Sequence, residues 1–169
     1  MAAHADDSLE DAVANLTRTR IASLSLSAAA LVAIANFEGF RDRAYDDGVG
    51  VQTIGFGTTE GVQPGDRITP ERALIRLLGD ADKMQRELRA CIGDVPMYQH
   101  EWDAIVSWAY NVGTGAACQS SLVRKLKAGD YAGACAELLR WDYAGGKRLT
   151  GLTKRRQAEH QQCMGGGNG

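Results

Sequence analysis

Proline and histidine are scarce in this chain, with three of each in 169 residues, and aromatic side chains make up only 7%. The histidines (His4, His100, His160) have no metal-ligand spacing, and no two of the four cysteines form a Cys-x-x-Cys pair, so a metal site is not expected. A secretory signal is missing as well. The N-terminus has no basic region and opens with Asp6, Asp7, Glu10 and Asp11. Charge of one sign is not in excess. The net charge is −2, which gives no reason to expect nucleic acid as a partner. Internal repeats are absent.

What is present suits a soluble globular chain: 44% hydrophobic and 24% charged residues. The length fits one domain with a substantial core. Charge is uneven along it. Residues 120–157 hold nine Lys and Arg (Arg124, Lys125, Lys127, Arg140, Lys147, Arg148, Lys154, Arg155, Arg156) against Asp130, Glu137 and Asp142. Such a segment either attracts an anionic polymer or is a set of solvated helix faces. The even count of cysteines (Cys91, Cys118, Cys135, Cys163) suits two disulfides and an oxidising compartment. Four cysteines allow three pairings. Cys91 with Cys118 and Cys135 with Cys163 is the pairing expected.

Residues 8–19 have helical spacing of Leu9, Val13 and Leu16, which predicts a short amphipathic helix in an N-terminal leader or arm spanning 1–20. Ile21–Phe37 is an uncharged run of 17 residues, at the lower limit for crossing a bilayer. Its serines and alanines make it only weakly apolar, so a buried helix is the first reading and a transient membrane tether through 21–37 the second. Ser25 or Ser27 can cap that helix and Gly39 can end it, which seats Glu38 at its C-terminus. Residues 42–62 are rich in Gly, Val, Thr and Ile and predict a small antiparallel sheet, with Asp47 at its first turn and Thr53 on the next strand.

Thr69-Pro70-Glu71 is a helix start, and that helix runs to about Cys91. Further helices are predicted over 97–111, 121–127, 131–141 and 151–163. Gly165–Gly169 is expected to be a disordered tail. Strands gathered in one place among helices predict an α+β fold: a sheet lobe at about 40–66, joined by a long helix to a mainly helical lobe, all within one domain over 21–164.

Glu38 and Asp47 are nine residues apart, and Thr53 follows six later. Two carboxylates in different surroundings are what glycosidic cleavage requires, one as proton donor and one as base or stabiliser. Asp46 competes with Asp47 on residue pattern alone. Gly55-Phe-Gly57 has no following Lys-Ser/Thr, which rules against a phosphate loop. Phe56, Asn111, Tyr143, Arg148 and Arg155 are candidates for contact with sugar or peptide, through aromatic faces and planar donors.

The pattern Glu38-Gly-x-Arg41, Ala44-Tyr45-x-Asp47 and Thr53-Ile-Gly-Phe-Gly57 resembles the active-site signature of phage-type lysozymes, the endolysins of tailed bacteriophages. So do Glu60-Gly-Val-x-Pro-Gly-Asp66, Ser107-Trp-Ala-Tyr-Asn-Val-Gly113, Ser120-Ser-Leu-Val123, Gly129-Asp-Tyr131, Leu139-x-Trp141 and Gly151-Leu-Thr-x-Arg-Arg156. The resemblance implies a lysozyme-like fold and catalytic roles for Glu38, Asp47 and Thr53, and it favours Asp47 over Asp46. It also implies hydrolysis of the β-1,4 bond between N-acetylmuramic acid and N-acetylglucosamine in bacterial peptidoglycan, by a monomer without cofactor. Synthesis in the host cytoplasm and action in the periplasm or cell wall follow from it, with signal-arrest-release export if 21–37 is a tether. A lytic transglycosylase or a non-catalytic wall-binding protein on the same scaffold is the alternative. One departure stands out: many members have a histidine after the last signature glycine, where this chain has Thr58.

Overall fold

The computed structural model describes residues 17–166. The expected helix over 8–19 falls mainly outside this range. Its end, Thr19–Arg20, is instead a short strand, β1, paired antiparallel with Pro96–Met97. The uncharged run that follows is split into pieces. Ile21–Ser23 is a 3-10 turn, residues 24–27 are extended, and helix α1 covers Ala28–Glu38. Ser27 caps α1 by accepting the Ala30 N–H at 3.1 Å. Gly39 ends the helix with φ +71°, a conformation that glycine adopts without a Cβ penalty.

β2 (Arg41–Asp46) and β3 (Gln52–Gly55) form the expected antiparallel hairpin, with Tyr45 opposite Thr53. The returning chain closes the lobe: Ala44 N–H donates to Asp66 O and Ile68 N–H to Asp42 O. α2 (Pro70–Ile92) starts at the Thr69 cap and crosses to the other lobe, about 35 Å at the usual rise per residue. Ala73, Leu77, Ala81, Gln85, Leu88 and Ile92 form its buried stripe at helical period.

The helical lobe contains β4 (Pro96–Met97), α3 (Gln99–Val112), α4 (Thr114–Gln119), α5 (Ser121–Lys127) and α6 (Tyr131–Glu137). A 3-10 turn (Leu138–Arg140), the two-residue strands β5 (Tyr143–Ala144) and β6 (Lys147–Arg148), and α7 (Thr150–Cys163) complete it. α3 is the central helix. Every residue from Glu101 to Ala109 is buried, and Trp102, Ile105 and Trp108 anchor the main core. A second, smaller cluster of Ile34, Ala35 and Leu77, with Phe56 and Tyr110 packed on it, lies where α1, α2, α3 and the sheet lobe meet.

Three details differ from the sequence reading. Gly113-Thr-Gly115 ends α3 but also opens α4, a short helix that its two glycines conceal. The predicted 131–141 helix stops at Glu137 and tightens into the 3-10 turn. Gly165 and Gly166 of the expected tail are hydrogen-bonded to Gln162 O and Gln161 O, and the rest of the tail lies outside the described residues. Disulfides join Cys91 of α2 to Cys118 of α4, and Cys135 of α6 to Cys163 of α7, each with Cα atoms 5.7 Å apart.

Candidate active site

Glu38 is the last residue of α1, with a side chain 21% exposed. Two features fix its carboxylate. The Nη1 of Arg155 donates to Oε1 at 2.8 Å, and the same guanidinium lies over the Phe37 ring, 4.7 Å from its centroid. On the sheet side, the backbone of Gly57 comes so close that a Cβ there would sit 3.3 Å from Oε2, and φ is +89°. Glycine at 57 therefore satisfies both a positive φ and a close approach to the acid.

Asp47 stands at the exposed turn between β2 and β3. Its Oδ1 accepts the N–H groups of Val49 (3.0 Å) and Val51 (3.1 Å). Asp46 does the same for Gly48 (2.8 Å) and Gly50 (3.0 Å). Each aspartate thus shapes the turn with one oxygen, and hydrogen bonding does not separate them. Thr53, 5% exposed, directs its hydroxyl to Val51 O at 3.4 Å. A single hairpin and its following turn thus carry Asp47, Thr53 and the glycine that faces Glu38.

The five expected contact residues fall in different places. Arg155 is buried, and its three donating nitrogens are engaged by Glu38, by Glu159 (Nε, 3.0 Å) and by Ser107 O (Nη2, 3.0 Å). It holds the Glu38 carboxylate from inside the fold. Asn111 is exposed, but its Oδ1 accepts from Arg156 Nη2 at 2.5 Å. Phe56 is half-buried, packs against Phe40 (centroids 5.5 Å apart) and gives its carbonyl to the Tyr110 hydroxyl. Tyr143 is 58% exposed on the β5–β6 hairpin, beneath the Arg148 guanidinium.

A polar cleft of about 280 Å³ opens beside Gly57 and is lined by Glu60, Asp80, Lys83, Glu87, Tyr110 and Thr114 among others. Asp80, Lys83 and Glu87 lie on α2 off its buried stripe, a helical-spacing signal that the sequence reading left unused. Burial first, then the negative charges of Asp80 and Glu38, push the Tyr110 hydroxyl well above its ordinary value, so it stays a neutral donor to Phe56 O. Of the nine cations in the basic stretch 120–157, Arg155 and Arg156 are buried, and five are engaged in ion pairs. Lys125 and Arg140 pair with Glu137, Arg148 with Asp142, and Arg155 and Arg156 with Glu159. Among the described residues, no group of three or more His, Cys, Asp or Glu is placed to hold a metal ion.

The phage lysozyme family profile matches residues 35–159, from the end of α1 through most of α7. The chain belongs to the phage lysozyme family. It is 42% identical over 140 residues to an endolysin of Acyrthosiphon pisum secondary endosymbiont phage 1, covering 80% of this chain and 95% of that one. It is 39% identical over 131 residues to the SAR-endolysin of Bacteriophage PS119, covering 76% and 77%. Among solved structures, the endolysin from Escherichia coli O157:H7 phage FAHEc1 superimposes with a TM-score of 0.73 at 35% identity, covering 84% of this chain and 94% of that one. The muramidase domain of SpmX from Asticaccaulis excentricus does so with 0.78 at 28%, covering 83% and 98%. The fold is lysozyme-like α+β, and the chain is an endolysin-type muramidase, a glycoside hydrolase acting on peptidoglycan.

Proposed function

We propose that Glu38 is the general acid of this phage lysozyme and protonates the oxygen of the β-1,4 bond between N-acetylmuramic acid and N-acetylglucosamine. Asp47 stays ionised, and either orients the attacking water or stabilises the oxocarbenium-like transition state. Thr53 supports that water from the neighbouring strand. The observation that carries the reading is that Glu38, gripped by Arg155, faces Gly57, which lines a polar cleft and lies in the turn directly after the hairpin that bears Asp47 and Thr53. Tyr143 and Asn111 contribute to holding the polysaccharide, and Phe56 shapes the floor between the lobes. The enzyme acts as a monomer in the periplasm or cell wall, after synthesis in the host cytoplasm.

The segment 21–37 serves the fold in this reading. Ile21, Ala30, Ile34 and Ala35 are buried, and among the described residues no helix is long and apolar enough to cross a membrane. A tether through it would require those contacts to form only after release; recovery of the full chain in the membrane fraction of producing cells would support that export route.

The deciding experiment is mass spectrometry of fragments released from purified Gram-negative peptidoglycan by the wild type and by Glu38→Gln. Reducing-end muramic acid from the wild type alone is the expected result. Anhydro-muramic acid would mean a lytic transglycosylase. Release by both proteins would remove Glu38 from the chemistry, and release by neither would favour a wall-binding scaffold.

A further inference from the structure

Behind the acid lies a second layer of charge that the catalytic roles above do not use. Arg155, Arg156 and Glu159 all project from α7 and are 5%, 0% and 2% exposed. Arg155 faces Glu38 with Nη1 and turns Nε to Glu159 Oε1 at 3.0 Å. The same oxygen accepts the Ser107 hydroxyl of α3 at 2.7 Å. The other, Oε2, is 3.2 Å from Arg156 Nη1, and Arg156 reaches on to Asn111. The row therefore alternates in sign from the cleft into the interior: Glu38, Arg155, Glu159, Arg156.

Arg155 places a positive charge 2.8 Å from the Glu38 carboxylate, and a cation favours the ionised form of a carboxyl group beside it. A glycosidase acid needs the reverse, a proton retained at working pH. Glu159 sits on the far side of the same guanidinium and supplies the opposing charge. With it, the buried group behind Glu38 carries one net positive charge; without it, two. The other groups near Glu38 do not substitute. From α3 comes Tyr110, a neutral phenol, from α2 comes Asp80, which already accepts the Thr58 hydroxyl, and from the sheet lobe comes the Gly57 backbone. Burial pushes the Glu159 carboxyl up, and the guanidiniums of Arg156 and Arg155 oppose it.

We propose that Glu159 is a positioning residue that sets the proton affinity of Glu38 through Arg155, and that Arg156 acts on the same balance with the opposite sign. This rests on the reading of Glu38 as the acid. The test is the pH profile of fragment release from purified peptidoglycan. Glu159→Gln is expected to move the alkaline limb, where the acid loses its proton, to lower pH by about one unit. Arg156→Gln is expected to move it to higher pH. Glu159→Asp, which keeps the charge, holds the wild-type limb.

A merely structural role would lower the rate in both variants without displacing the limbs in opposite directions. Limbs that stay at the wild-type position, or move the same way, overturn the proposal. Should Glu159→Gln fail to fold, Arg156→Gln alone decides by its direction. Activity retained by Glu38→Gln would instead overturn the assignment of the acid, so the two failures are distinguishable.

Discussion

Thr58 donates its hydroxyl to Asp80 Oδ2 at 2.6 Å, and so fastens the turn after β3 to the middle of α2. Thr58 is 3% exposed, at the position where the resemblance to phage-type lysozymes leads one to expect a histidine. A neutral donor to a carboxylate does the fastening here, without a group that titrates near neutrality. Thr58→Val keeps the shape and removes the donor, which is expected to cost about 1–3 kcal/mol. Thermal denaturation at pH 6 and pH 8 should give the same loss, since Thr58 does not titrate. A loss confined to one pH would mean that the contact works through charge on another group.

How much of this was legible in the sequence follows from how local each signal is. Ser27, Gly39, Thr69-Pro70 and Asp130 mark helix ends because a cap is chemistry within a few residues, and these ends sit where the caps place them. The Glu38, Asp47 and Thr53 spacing was readable for the same reason. Arg155 was not, because its partner Glu38 is 117 residues away, so a buried clamp looked like a surface arginine near a sugar. Thr58 with Asp80, 22 residues apart, was hidden likewise, and α4 was masked by the glycines at 113 and 115. Charge counted along 120–157 overstated the basic surface, since Glu159, just beyond that window, takes up two of the arginines.

Arg18 is a further long-range feature that the sequence did not announce. Its guanidinium lies between the rings of Tyr131 (3.7 Å) and Tyr98 (4.5 Å), and it makes two bonds to Glu101, which is 3% exposed. Two residues on, Arg20 pairs with Pro96 in the short β1–β4 ladder. Arg18→Ala leaves a buried carboxylate with the Tyr98 N–H as its remaining donor. The expected cost is about 3 kcal/mol. Hydrogen exchange should speed up at residues 19–21 and 97 before the rest of the helical lobe. Uniform acceleration across the molecule would mean that the contact stabilises the whole domain and does not specifically dock the arm.

The two disulfides close loops of 27 and 28 residues within the helical lobe, one tying α2 to α4 and the other α6 to α7. Loop-closure entropy of that length is worth about 3–4 kcal/mol per bridge. Replacing Cys135 and Cys163 with alanine should lower the urea midpoint accordingly, and reductant should lower the wild type's midpoint but not that of a variant lacking all four cysteines. A reductant effect on the cysteine-free variant would assign the change to something other than these bonds.

Glu137 gives the fold a defined acid sensitivity. It is 7% exposed and accepts from Lys125 Nζ (2.8 Å), Ser121 Oγ (2.5 Å) and Arg140 Nη1 (3.1 Å). The Lys125 hydrogen bond first, then Ser121, holds its carboxyl down at about 2, against an ordinary 4.5. A carboxylate depressed in the folded state binds its proton more readily when unfolded, so it adds stability above the unfolded value and loses it as the pH falls. Its contribution is therefore complete above pH 4.5 or so and fades toward pH 2. Lys125 and Arg140 are partly exposed, which trims the gain, and Glu137→Gln is expected to cost about 2 kcal/mol at pH 7. Urea unfolding at pH 7, 4.5 and 3 should show that cost shrinking steadily between pH 4.5 and 3. A cost that stays constant across this range would mean that Glu137 acts by packing and hydrogen-bond geometry, with its charge contributing nothing.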